Sequence, residues 1–128
     1  MITTQIAEGQ VPYVVEATVT LCGTDIAVNI GGGLLPHIGA IALASPRPSI
    51  KKDGNISATA SVICVLGHKE DMLARTLALH LASEFNTVVL VSVGLHVDNA
   101  TSADIKCLNT NFDILLSRIE TWLRKHIC

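Results

Sequence analysis

Aromatic side chains are scarce, at 3% of the 128 residues, too few to build stacking platforms for single-stranded nucleic acid. No lysine- or arginine-rich run accompanies the net charge of −2, so the usual electrostatic footprint of a nucleic-acid binder is missing as well. No apolar stretch reaches the roughly 18–20 residues that would span a bilayer. The opening MITTQIAEGQ has neither a basic nor an apolar export region, which leads to the expectation of a cytoplasmic protein. The four cysteines, Cys22, Cys64, Cys107 and Cys128, form no C-x-x-C pair, so reduced thiols are expected rather than a structural zinc site or a disulfide framework. No G-x-S-x-G motif is present, and Ser45, Ser61 and Ser92 fall at or within apolar strands; a nucleophilic triad is unsupported. What the chain does have is 49% hydrophobic against 16% charged residues, enough to bury the core of one domain over residues 1–128.

Patterning organises that apolar content. VPYVVEATVTLCG, about 12 to 22, is rich in Val and Thr and suits a half-buried strand. A GTD turn returns IAVNI as its hairpin partner. IGAIALAS reads as a third strand of small residues, PRPSIKKDGNIS as an exposed loop, and ATASVICVL as a fourth strand, apolar enough near its end to be central. From about 69 to 85, Leu73, Leu77, Leu81 and Phe85 share a helical stripe beside Ala74, Ala78 and Ala82. Two acids near its start, Glu70 and Asp71, suit the positive end of the helix dipole. TVVLVSVGL shows no polar face and reads as a strand buried on both sides. TSAD at 101–104 is a capping box before a last helix striped by Ile105, Leu108, Phe112, Leu115, Ile119 and Trp122. Leu116 and Leu123 are left over on that helix for a partner subunit. The expected fold is an α/β (α+β) single-domain sandwich on a mixed five-stranded sheet, in the order β-β-β-β-α-β-α, with its core at about 12–123.

That order predicts where the polar loops gather. The fourth and fifth strands, joined through a helix, should run parallel. Their ends, GHKED (67–71) and GLHVDN (94–99), then share an edge with PHIG (36–39), which opens the third strand. His37, His68 and His96 converge on one rim, where ligands of open α/β sheets commonly bind. Gly67, His68 and Lys69, at a strand-to-helix junction, suit an anion. Gly31, Gly32 and Gly33 let a backbone approach a ligand closely. Asp98 and Asn99 can orient His96 or a ligand hydroxyl, Asn99 serving equally as a turn residue. Arg47 would add a second anion contact if its loop folds over the rim. His80 and His126 lie outside this convergence and read as structural or solvated. An alternative chemistry stays open: His37, His68 and His96 could ligate zinc or another divalent metal with a vacant fourth position, although Lys69 beside His68 opposes a cation.

The stretches GGGLLPHIGAIAL, GHKED and GLHVDNAT, followed by a long amphipathic helix, resemble the LpdD-like prenylated-flavin chaperones. These are the small D subunits associated with non-oxidative gallate and hydroxybenzoate decarboxylases. The resemblance runs from about residue 12 to 123 and implies a fold similar to proteasome-assembly chaperones. It implies a cofactor-binding accessory protein, not an enzyme, that binds prenylated FMN and helps deliver it to the large subunit of a UbiD-type decarboxylase. On that basis Gly67, His68 and Lys69 would hold the phosphate. Gly32, Gly33 and His37 would approach the ring or ribityl chain, Arg47 would be a further contact, and His96 and Asp98 would meet polar edges. Two other readings remain: a His-liganded metal-dependent enzyme acting on a small acid, and a protein-assembly chaperone with no small ligand. A homodimer is expected, because edge strands and helix surface remain to be covered.

Overall fold

The computed structural model describes residues 1–51, 53–65 and 70–127. In chain order the elements are β1 (Ile2–Glu8), β2 (Val15–Cys22), β3 (Asp25–Gly33), β4 (Ala40–Pro48), β5 (Ile56–Cys64), α1 (Asp71–Phe85), β6 (Val89–His96) and α2 (Ser102–His126). The strands form one six-stranded mixed sheet in the spatial order β1-β2-β3-β6-β4-β5. The expected class is correct, with one strand more than anticipated. β1 escapes patterning because only Ile6 of ITTQIAE is buried, so an edge strand with polar side chains carries little alternation to read.

The strand directions follow the expected crossover. β3 and β6 pair in parallel, while β4 runs antiparallel to both β6 and β5. β5 and β6 therefore point the same way, with β4 inserted between them. β5 is an edge strand and not a central one, and its Ile63 is 67% exposed. Continuous apolarity was a misleading sign there. The segment 46–48 belongs to β4 instead of a loop: Pro46 pairs with Ala58 and Pro48 with Ile56. Prolines are tolerated because β4 meets β6 only from Ala40 to Ala44, so no ladder partner is lost on that side beyond Ala44.

One face of the sheet carries the core. Val15, Ala17, Val19 and Leu21 of β2, Ile26, Val28 and Ile30 of β3, Val89, Val91 and Val93 of β6, and Ala40, Ala42 and Ala44 of β4 are all buried. Their registers align them strand to strand. α1 lies over β4, β5 and β6, and α2 over β1 and β2. Small residues meet small residues, Ala74, Ala78 and Ala82 above the β4 alanines, so α1 can lie close to the sheet. The helices also touch each other: His80 Nε2 lies 2.6 Å from Glu120 Oε1, and Arg124 donates to Glu84 at 2.8 Å. Both helices thus occupy the same side. Leu123, expected as surplus surface, is fully buried, and Ile105, expected in the stripe, is half exposed.

The other face of the sheet is uncovered. β6 is consequently buried on one side only: Val89, Val91 and Val93 are sealed, while Leu90 is 42% exposed beside Leu43 at 49%. Two layers, not three, make this fold, and the second face is left for something else.

Candidate functional site

The topology brings several chain segments to one edge. β3 ends there at Gly33, β5 at Cys64 and β6 at His96; β2 begins there at Val15 and β4 at Ala40, and both helices start from it. Two helix N-termini facing the same rim make it favourable to negative charge.

The loop from Leu34 to Gly39 folds back over the uncovered face. A Cβ on Gly31 would lie 2.8 Å from Pro36 Cβ, and one on Gly94 would overlap the His37 carbonyl. Backbone bonds pin the loop: Leu34 N–H donates to His96 O at 2.7 Å and Gly39 N–H to Val93 O at 3.0 Å. Gly33, at φ +74°, packs on the His96 backbone, and Gly32 faces Val14 O. The close approach that the glycines permit is made by the chain itself. The space a Cβ would take at Gly32 and Gly33 is already filled by the chain, so both help to build the roof.

His37, at the centre of this roof, is fixed at both ring nitrogens. Nδ1 lies 3.0 Å from Leu35 O, and Nε2 lies 3.1 Å from Glu70 Oε1. A carbonyl can only accept, so Nδ1–H donates to it. The two side chains are largely buried, only 18% and 12% exposed. Glu70 stands at the N-cap of α1 but makes no side-chain cap; its carboxylate sits over Gly39 instead, where a Cβ would collide with it. Sequence reasoning assigned Glu70 only to the helix dipole. The available signal was an acid at a strand-to-helix junction, on the same predicted edge as PHIG.

His96 lies beside this pair. Its ring is 6.2 Å from that of His37, edge to face, and its Nε2 is 2.6 Å from Asp98 Oδ1. This is the contact that an orienting role for Asp98 would need, and Asn99, at φ 49°, lies in a turn. Two imidazole–carboxylate pairs thus stand side by side. Gly67, His68 and Lys69 lie outside the described residues, so the third histidine of the expected rim has no placement to report. Among the described residues, no group of three His, Cys, Asp or Glu side chains is arranged to hold a metal ion. Arg47, expected as an anion contact if its loop folds over the rim, sits seven residues along β4 from Ala40, roughly 23 Å away at strand rise, and donates to Thr59 Oγ1 at 3.0 Å. Its strand, continued through both prolines, carries it away from the rim. Cys22, Cys64 and Cys107 are free thiols on the surface.

Against the roof lies a cleft of about 400 Å³ on the uncovered face of β1–β3, bounded by Gln5, Glu16, Thr18, Asn29, Pro36, His37 and Ile38 among others. Its size falls in the ordinary range for small-molecule sites. Nearby, the expected capping box is formed: Asp104 N–H donates to Thr101 Oγ1 at 3.2 Å and Thr101 N–H to Asp104 Oδ2 at 2.8 Å. Tyr13 adds a bond that patterning did not anticipate, its hydroxyl donating to Asp104 Oδ1 at 2.6 Å. That bond holds the Asp104 carboxyl below the usual carboxylate range and raises the Tyr13 phenol above its ordinary value. No helix among the described residues is long and apolar enough to cross a membrane.

A chain from the crystal structure of a chaperone complex for yeast 20S proteasome assembly superposes with a TM-score of 0.61 over 99% of this chain and 98% of its own, at 15% identity; that likeness concerns the fold alone. Protein LpdD of Lactiplantibacillus plantarum is 26% identical over 123 residues, spanning 91% of this chain and 82% of the relative. Residues 9–124 match the model of the prenylated flavin chaperone LpdD-like domain. The chain belongs to the LpdD-like prenylated flavin chaperone family.

Proposed function

We propose that this chain binds prenylated FMN at the rim and cleft and passes it to the large subunit of a UbiD-type decarboxylase, performing no decarboxylation itself. The observation that carries the reading is the cleft under the His37 roof, in a chain whose residues 9–124 match the family. The residues suit such a group. A mixed wall of amides, a hydroxyl and apolar side chains matches a flavin ring, which is flat and apolar on its faces and polar along one edge. His37 contacts the ring or ribityl chain, and His96 with Asp98 meets polar edges. Gly67, His68 and Lys69 hold the phosphate, at the junction leading into α1. Gly32 and Gly33 act indirectly, by shaping the loop that carries His37. The protein works as a single domain in the cytoplasm, as a homodimer.

Prenylated FMN, when bound, supplies the chemistry that the decarboxylase later uses; the chaperone's residues bind, orient and shield it. The test is titration with reduced prenylated FMN and with plain FMN under anaerobic conditions. Binding of the prenylated form, weakened at least tenfold by Lys69→Ala and by His37→Ala, is the expected result. Negligible affinity of the wild-type protein for both flavins would overturn the reading. Transfer is tested separately, by restoration of activity to an apo-decarboxylase mixed with the loaded chaperone.

A further inference from the structure

We propose that Gln5, Thr18 and Asn29 form a recognition strip for the heteroatom edge of a planar, uracil-like ring, laid across the uncovered face of the sheet. The inference rests on the flavin-binding reading and adds which part of the ligand enters the cleft and what reads it.

The strip follows from strand register. Gln5 of β1 pairs with Thr18 of β2, Thr18 with Asn29 of β3, and Asn29 with Ser92 of β6. Four polar side chains therefore stand in one row across four adjacent strands, spanning roughly 14 Å at the usual strand spacing. All project from the uncovered face, because their neighbours in each strand are the buried core positions. Gln5, Thr18 and Asn29 line the cleft directly. None of the three makes a side-chain hydrogen bond to another described residue, whereas Thr3 and Thr20, one pair along, bond to each other at 3.1 Å. Ser92 continues the row toward the roof, and its Oγ is buried without a hydrogen-bond partner among the described residues. A buried hydroxyl left unpaired is costly, and a row ending in one has unused polar capacity.

The order of groups specifies the ligand. A uracil-like edge presents acceptor, donor and acceptor: a carbonyl, a ring N–H and a second carbonyl. Across the strip, the Gln5 amide can donate, the Thr18 hydroxyl can accept and the Asn29 amide can donate. The flavin pyrimidine ring carries such an edge. A phosphate is a poor fit for the same place: among the described residues no Lys or Arg lines the cleft, and Glu16 does. The roof contributes Pro36 and Ile38, apolar surfaces against which a flat ring can lie. The heterocycle thus enters the cleft while the charged tail stays at the rim.

Three probes separate the parts of the ligand: lumichrome, which is the ring without a ribityl chain; ribitol 5-phosphate, the tail without a ring; and FMN. Thr18→Val removes the central acceptor while keeping a β-branched shape, and Asn29→Leu removes a donor. Each substitution should weaken lumichrome and FMN about tenfold, the value of one hydrogen bond to a bound ligand, and leave ribitol 5-phosphate unchanged. Wild-type binding of FMN with no change in either variant overturns the strip and leaves the flavin reading intact. Failure of the wild type to bind FMN, prenylated FMN and lumichrome overturns both. If a variant melts early, Gln5→Leu on the edge strand provides the same comparison.

Discussion

Gly94 shows how much a single hydrogen atom in place of a side chain can decide. Its missing Cβ makes room for the His37 carbonyl, and through that contact for the whole roof. Gly94→Val should force the 34–39 loop off the sheet, at a cost of about 1–3 kcal/mol by the usual measure of overpacking. The expected readout is a lower melting temperature together with loss of flavin binding; an unchanged melt would mean the loop does not depend on that contact. The three motif glycines were visible in the sequence as a group, but their use was not. A glycine that admits a ligand and one that admits the chain's own loop look identical until the returning segment is located. Glu70 was hidden for a related reason. An acid in a first helical turn has an ordinary explanation in the dipole, and only the position of Gly39 beneath its carboxylate reveals the bond to His37.

Among elements, α2 was the most legible, because its stripe and its capping box both have strong local signals. Its start is tied down by more than that box. Tyr13, in the β1–β2 connection, donates to Asp104, and Asn111 Nδ2 donates to Tyr13 O at 2.8 Å. The Asp104 carboxyl is depressed chiefly by the Tyr13 bond, so the stability it contributes is fully present above about pH 4, the unfolded value, and is lost as pH falls through the lower folded value. The Tyr13 phenol is raised chiefly by the same bond. Its contribution is fully present below about pH 10 and disappears as pH rises through the higher folded value. Tyr13→Phe should therefore remove part of the dependence of melting temperature at both extremes, and NMR titration should find the Asp104 carboxyl moved toward the ordinary range. Thr101→Ala, which breaks the box itself, should cost about 0.5–2 kcal/mol in denaturant unfolding. The strands were less legible than the helices. β1 hides behind polar residues at an edge, and the apolar end of β5 suggested a central strand because exposed Ile63 and buried Val91 are the same kind of residue in one dimension.

Across the whole molecule, the placement of both helices on one side leaves two unlike halves on the opposite face. Over β1–β3 that face is polar and holds the cleft; over β6, β4 and β5 it presents Leu90, Leu43 and Ile63. The apolar half is the surface through which the proposed homodimer would form, since exposed leucine and isoleucine in adjacent strands are what a second copy could cover. Leu43→Asp combined with Leu90→Asp should convert a dimer into a monomer in analytical ultracentrifugation without unfolding it, because neither side chain belongs to the core. Persistence of the dimer in that variant would direct attention to the edge strands instead. The strand order has a consequence for biosynthesis. The central partners β3 and β6 are separated by about half the chain, with β4 seated against β6 as well. A nascent polypeptide halted before Val89 would own the glycine motif, the roof residues and all of α1, yet lack the strand that joins them. The rim comes into being late, nearly all at once, when α1 has left the ribosome and β6 slots between neighbours already waiting for it.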